Sequence, residues 1–324
     1  MYFTASWGPM HEILAGLAVL QAPQNLERLV LHRTRRRGRV NSLTDPITLF
    51  RGMRMTSLKY VDMKGVHINW SMTSLRNLRE LTLEHLAKDV APSSKELMRI
   101  LERSPDLKTL CLSDVCSRLF DGDLTSFPNR VRLTDLRNLT IDSLRPLQAY
   151  FIISILSAPN LRRLNLLHLV KGDYTDHIGT LVGKFPQVTV LNIHGLYTST
   201  IGSVPFYPWL CSMQNLKYLS ACNIAPLFFS YLGLYMPRGD RSEGLPIFPL
   251  LESIDASAIP YDTVAFLAGQ RQAMGVALRR IFLRHSSFEH VPFNRDQLCW
   301  IKNRGILSWV PQLYHPELHE RYER

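Results

Sequence analysis

The chain has 324 residues, 46% of them hydrophobic and 20% charged, and a formal net charge of +11, a globular composition with apolar material for one large core or two domains. No apolar stretch reaches the roughly 18–20 residues of a transmembrane helix, and Ile13 to Leu20 lacks the basic leader and cleavage site of a secretory signal. The cysteines Cys111, Cys116, Cys211, Cys222 and Cys299 match no zinc spacing and read as free thiols in a reducing compartment, so an intracellular protein, cytoplasmic or nuclear, is expected.

In chain order the first predicted element is a helix, His11 to Gln21, whose apolar side (Ile13, Leu14, Leu17, Leu20) needs a preceding partner. Next comes "LERLVL" from Leu26, and then a run of arginines, Arg33, Arg35, Arg36, Arg37 and Arg39, that holds five of the eleven net charges. The same rhythm returns as "LKYVDM" from Leu58, "LRELTL" from Leu78, "LKTLCL" from Leu107, "LRNLTI" from Leu136 and "LRRLNL" from Leu161. It continues as "VTVLNI" from Val188, "LKYLSA" from Leu216, "LESIDA" from Leu251 and "LRRIFL" from Leu278.

Positions one, four and six are apolar in all ten copies. At the chain's hydrophobic content, chance would give that on the order of 10⁻¹⁰ of the time. Successive copies start 20–35 residues apart, the period of a repeat architecture. Positions four and six alternate with outward residues, so each copy contains a short strand with one buried face. One repeat cannot bury its own apolar row, but stacked neighbours can.

Between the strands, "SSKELMRILERSP" from Ser93, "LRPLQAYFIISILSAP" from Leu144 and "YDTVAFLAGQRQA" from Tyr261 predict helices with cap-like starts or apolar faces. The segment Pro226 to Pro237 is apolar nearly all round and predicts a core helix, with an exposed flap as the alternative. After the tenth strand, "FNRDQLCWIKNRGILSWV" from Phe293 predicts a capping helix and one more strand. A polar tail follows.

This strand-plus-helix unit resembles the leucine-rich repeat, with consensus LxxLxL followed by Asn or Cys at position nine. Position nine here is Val66, Leu86, Val115, Leu144, Leu169, Leu196, Ile224 or Ile259, an additional apolar row in place of an asparagine ladder. With the variable repeat length, the chain is similar to the irregular repeats of F-box leucine-rich-repeat proteins, particularly the fungal set. "SLRNLRELTLEHL" and "APNLRRLNLLHL" carry that likeness best.

The resemblance implies an α/β leucine-rich-repeat solenoid, a horseshoe of about ten repeats with its parallel sheet on the concave face. Residues 1–285 would form the solenoid and 286–324 a C-terminal cap and tail. The family's F-box opening is not matched by "MYFTASWGPMHEIL". The chain therefore reads as a fragment of a longer protein, or as one with an N-terminal cap of another kind.

No constellation points to catalysis, a cofactor or a metal. His315 and His319 lie four apart with no third ligand, and Asp121-Gly122-Asp123 reads as a turn. The tripeptide Arg238-Gly239-Asp240 carries no assigned function. The arginine run is a solvated loop, or else a nuclear-import signal or phosphate contact.

Pleat alternation points positions three, five and seven outward. Counted over the ten strands, acidic and basic residues balance there, although the chain is strongly basic. A nucleic-acid groove would be basic, so this face is expected to bind a protein or peptide. The candidate contacts are Thr82, Cys111, Thr140, Asp142, Arg163, Asn165, Asn192, His194 and Ser220. By resemblance, the chain would be the substrate-binding repeat region of an F-box receptor of a cullin-type ubiquitin ligase, reaching the ligase adaptor only through an F-box. The alternative is a nuclear or nucleic-acid-associated scaffold using the arginine run. No membrane partner is expected.

Overall fold

In the computed structural model, strands form at all ten LxxLxL sites. The structure describes residues 1–34, 46–87, 90–115, 131–169, 172–196, 198, 206–224, 227–233, 235–238, 241–257, 261–284 and 307–310. The chain divides into two compact units, Met1–Leu161 and Arg162–Arg324.

The first unit runs β1 (Tyr2–Ala5), α1 (Trp7–Val19), β2 (Arg28–Arg33), β3 (Tyr60–Lys64), β4 (Glu80–Leu86) and α2 (Ser94–Glu102). It continues with β5 (Thr109–Val115), β6 (Val131–Arg132), β7 (Asn138–Asp142), α3 (Pro146–Ile155) and β8 (Leu156–Ser157). Strands β1, β2, β3, β4, β5 and β7 pair in that order, all parallel. The short β6 and β8 pair separately.

The second unit runs β9 (Arg163–Leu167), α4 (Thr175–Ile178), β10 (Val190–His194), α5 (Phe206–Ser212), β11 (Tyr218–Cys222) and α6 (Leu227–Leu232). Then come β12 (Tyr235–Arg238), β13 (Arg241–Pro246), β14 (Ser253–Ser257), α7 (Tyr261–Ala273), β15 (Arg280–Arg284) and β16 (Leu307–Val310). Here β9, β10, β11, β14, β15 and β16 form the parallel order, and β12 with β13 is an antiparallel hairpin.

Both units are thus built as leucine-rich-repeat solenoids of the α/β class. Registers are strict: Leu81 faces Leu110 and Leu110 faces Leu139, while Leu164 faces Leu191 and Leu191 faces Leu219. Every described side chain at positions one, four and six is buried. Burying each such leucine contributes about 1.5–3 kcal/mol, which is why a lone repeat fails and a stack succeeds.

The position-nine row is buried too, from Val66 and Leu86 through Ile224; Ile259 lies outside the described residues. Simple alternation would point position nine outward. A left-handed residue at position eight resets the phase, and it recurs at Gly65, His85, Asp114, Ser143, His168, Gly195 and Asn223, with φ between 48° and 62°. The turned backbone N–H then reaches the next repeat: Gly65 donates to Glu84 O at 2.9 Å, and Gly195 to Cys222 O at 2.9 Å.

Helix α2 starts at a full capping box. Glu96 N–H donates to Ser93 Oγ at 3.3 Å and Ser93 N–H donates to Glu96 Oε2 at 2.8 Å, while Leu97, Ile100 and Leu101 face the core. Helix α3 opens on Pro146 and buries Phe151, Ile152, Ile153 and Ile155. In α7, the fully buried Arg271 donates to Ile247 O and Phe248 O, both at 2.9 Å, and its burial lowers its pKa to about 10.

Two expectations change. The first helix packs against the Leu49–Gly52 turn and against β1, which pairs with β2; Leu14 and Leu17 are buried, but Leu20 is exposed. Helices α2 to α7 lie in six of the intervals between successive repeat strands, whereas the stretch between β3 and β4 has none and α4 is a single turn. The apolar segment 226–237 is helical only over Leu227–Leu232, with Phe228, Phe229 and Leu232 buried, before the chain enters the hairpin. The predicted capping helix after Phe293 lies outside the described residues, whereas β16 pairs with β15.

Candidate recognition surface

Outward positions line up laterally because the strands share register. In the first unit Asp62, Thr82, Cys111 and Thr140 form one row, and Thr4, His32, Lys64, Glu84, Ser113 and Asp142 form another. In the second unit Asn165, Asn192, Ser220, Asp255 and Phe282 form one row, with Arg163 and Val190 in the row before it and His194 and Cys222 in the row after.

All nine candidate contacts therefore stand on the outward side of their strands. Thr82, Cys111, Thr140 and Asp142 are half-buried on the first unit; Arg163, Asn165, His194 and Ser220 are half-buried on the second, and Asn192 is buried. Of the arginine run, Arg33 ends β2, whereas Arg35, Arg36, Arg37 and Arg39 lie outside the described residues. So do Cys116, Cys299, His315, His319, the Asp121–Asp123 turn, Gly239 and Asp240.

Neighbouring outward residues are tied to one another. The Arg28 guanidinium lies 4.3 Å from the centre of the Tyr60 ring. Lys64 Nζ donates to Glu84 Oε2 at 2.9 Å, and His32 Nε2 sits 2.9 Å from Asp62 Oδ1, a close contact outside hydrogen-bonding geometry. Ser113 Oγ donates to Asp142 Oδ2 at 2.7 Å, and Ser143 Oγ donates to Asp142 Oδ1 at 3.0 Å. His85 Nδ1 pairs with Asp114 Oδ2 at 3.2 Å.

In the second unit, Asn192 Nδ2 donates to Asn165 Oδ1 at 2.6 Å. The Tyr218 hydroxyl and Ser220 Oγ both approach Asp255 Oδ2 at 3.5 Å, the long limit for such a bond. The His168 and His194 rings lie 4.5 Å apart.

Alternation alone does not find which outward residues are open. Asp255 is 1% exposed, Tyr218 3% and Phe282 7%, and the two aromatics share a small cluster with Val190. In this part of the second unit the outward side is packed as well. The apolar character of Tyr218, Val190 and Phe282, two residues from polar Ser220, Asn192 and Arg280 on the same strands, was the available signal.

The Cys111 thiol stays protonated. Burial, and after it the charges of Glu84, Asp142 and Asp62, push its pKa up to about 12, with a hydrogen bond from Thr140 opposing. A thiol so raised is a poor nucleophile at neutral pH. Among the described residues, no group of three or more His, Cys, Asp or Glu could hold a metal ion. No described helix is long and apolar enough to cross a membrane.

The family model described as "FBD-associated F-box protein At5g56370, LRR repeats" matches residues 14–201. The chain belongs to this leucine-rich-repeat family. The match spans the strands from β2 to β10, in accord with the resemblance carried by the LxxLxL phrases. No curated protein matches the chain. Among solved structures, the leucine-rich repeat-containing protein LegL7 from Legionella pneumophila is 14% identical, with 98% of this chain and 93% of that one covered and a TM-score of 0.43.

Proposed function

We propose that the chain is a non-catalytic protein-recognition module and that its outward strand positions contact the partner. The observation that carries this reading is a row of short, hydrogen-bonding side chains in register: Thr82, Cys111 and Thr140 on the first unit, and Asn165, Asn192 and Ser220 on the second. The leucines beneath hold the fold, which leaves these positions available for specificity. Parallel strands about 4.8 Å apart would offer a crossing peptide one side chain per strand. Asp142, Arg163 and His194 would add charge and hydrogen bonding at the edges of those rows.

The matched family's description names an F-box protein. On that basis the reading extends to the substrate-binding repeat region of an F-box receptor of a cullin-type ubiquitin ligase, acting inside the cell. The adaptor contact would belong to an F-box outside residues 1–324. Residues 286–324 would close the end of the repeats carried by 1–285.

Affinity capture with the wild-type chain and with the Asn165→Ala/Asn192→Ala and Thr82→Ala/Thr140→Ala variants tests the surface. A partner retained by the wild type and lost by a face variant of unchanged stability supports it. Partners that bind every variant equally would sink it. The ligase reading has its own control: the adaptor should not co-purify with residues 1–324 alone, and its co-purification would move the adaptor contact into this chain.

A further inference from the structure

At the carboxyl ends of β1 to β4 the first unit holds a cleft of about 370 Å³. Thr4, His32 and Lys64, lateral partners on successive strands, line it together with Arg33, Thr34, Gly65 and His85 from the turns that follow. Among the described residues the lining contains two permanent cations, two imidazoles and two hydroxyls, and no carboxylate. We propose that this cleft binds a small phosphate monoester, a function separate from peptide recognition on the strand rows.

The carboxylates near the cleft sit behind its donors. Asp62 contacts His32 at 2.9 Å, Glu84 accepts from Lys64 at 2.9 Å, and Asp114 contacts His85 at 3.2 Å, each from the adjacent strand. These partners are only partly buried, with side chains 23–37% exposed, so each pairing is weak in water and can be shared with a bound anion. The same carboxylates offset the long-range field of Arg33 and Lys64. Recognition here must therefore come from directed donors, which suits the several acceptor oxygens of a phosphate. A cleft of this volume falls in the range of small-ligand sites, and a bare phosphate would leave most of it empty; the ester group supplies the remainder.

Gly65 shapes the site. Its φ is +62°, and a β-carbon there would stand 3.3 Å from Arg33 Nε and 3.5 Å from its Nη2. The guanidinium lies against the bare α-carbon, which only glycine leaves open. Arg33 thereby lies against Gly65, next to Lys64 in the lining of the cleft, where its fork adds to the lysine's point charge.

Calorimetric titration of the full chain with phenyl phosphate tests the proposal, with inorganic phosphate and a single-stranded oligonucleotide as parallel arms. One saturable site for phenyl phosphate is expected, weakened about tenfold or more by Arg33→Gln and by Lys64→Gln and retained by Lys64→Arg. The Arg35→Ala/Arg36→Ala/Arg37→Ala variant should bind phenyl phosphate as the wild type does. A second measurement needs no variant: phenyl phosphate should protect Lys64, but not the exposed Lys108, from an amine-acetylating reagent read by mass spectrometry. Absence of saturable binding, equal acetylation of Lys64 with and without ligand, or loss of binding in the triple variant alone would overturn the proposal. Binding of the oligonucleotide in place of phenyl phosphate would overturn it too, and would assign the basic region to nucleic acid.

Discussion

Asn192 donates through Nδ2 to Oδ1 of Asn165 at 2.6 Å, joining lateral partners on β10 and β9. Alanine at either position removes one side-chain hydrogen bond and leaves the leucine rows intact, so the loss should be about 1 kcal/mol. Leu164→Ala or Leu166→Ala, one residue away and fully buried, should cost about 2–5 kcal/mol through cavity formation. Denaturant midpoints of the four variants, set beside affinity for a captured partner, separate recognition from stability. Asparagine variants that melt like the leucine variants would place these residues in the core.

The left-handed turn at position eight can be tested from both directions. Gly65→Ala puts a β-carbon at φ +62° against Arg33 and should destabilise the fold by about 1–2 kcal/mol. Asn223 is exposed at φ 51°, and Asn223→Gly should be neutral or stabilising by a few tenths of a kcal/mol, up to ~1. Urea melts measure both. A destabilised Asn223→Gly would show that the asparagine side chain, rather than the backbone conformation, is what the position requires.

Ser93→Ala removes the hydroxyl half of the capping box on α2, leaving only the backbone N–H of residue 93 to Glu96, and should cost about 1 kcal/mol. Hydrogen exchange should speed up in the first turn of that helix before it does elsewhere. Ser93→Asp, which keeps an acceptor at the cap, should restore most of the loss.

The Cys111 thiol provides a pH test. Its folded pKa of about 12 lies above the ordinary value of 9.0, so folding disfavours the thiolate. The linked stability is fully present below pH 9 and declines as pH rises from about 9 toward 12. Iodoacetamide at pH 8 should label Cys111 far more slowly in the folded chain than in urea, as read by peptide mass spectrometry. Cys111→Ser should flatten the part of the alkaline stability loss that belongs to this group. Rapid folded-state labelling at pH 8 would contradict the buried, carboxylate-flanked environment.

Much of the fold was legible because it is written ten times over. Leu-x-x-Leu-x-Leu puts three apolar side chains on one side of each strand, and only stacked parallel strands bury them all, so the strand sites and their inward rows followed from periodicity. The extra row at position nine was legible as well, from Val66 and Leu86 onward. What turns it inward was not: the left-handed residue is glycine at 65 and 195 but histidine, aspartate, serine or asparagine elsewhere, and such mixed chemistry makes no motif. Strand β1 was missed because Tyr2–Ala5 carries no leucine pattern and gains its place only from the open edge of β2.

The outward residues divide in the same way. Alternation along a strand is a local property, so the sequence by itself determined that Thr82, Cys111, Thr140, Asn165, Asn192 and Ser220 stand on one side of their strands. Whether an outward side chain meets solvent depends on atoms far away in the chain. Only the tertiary structure decided that Asp255, Tyr218 and Phe282 are buried on that side, and that Thr4, His32, Arg33, Lys64 and His85 converge on one cleft. Those five residues span four strands of sequence. Lateral register brings them together, and register is a property of packed neighbours that no single repeat contains.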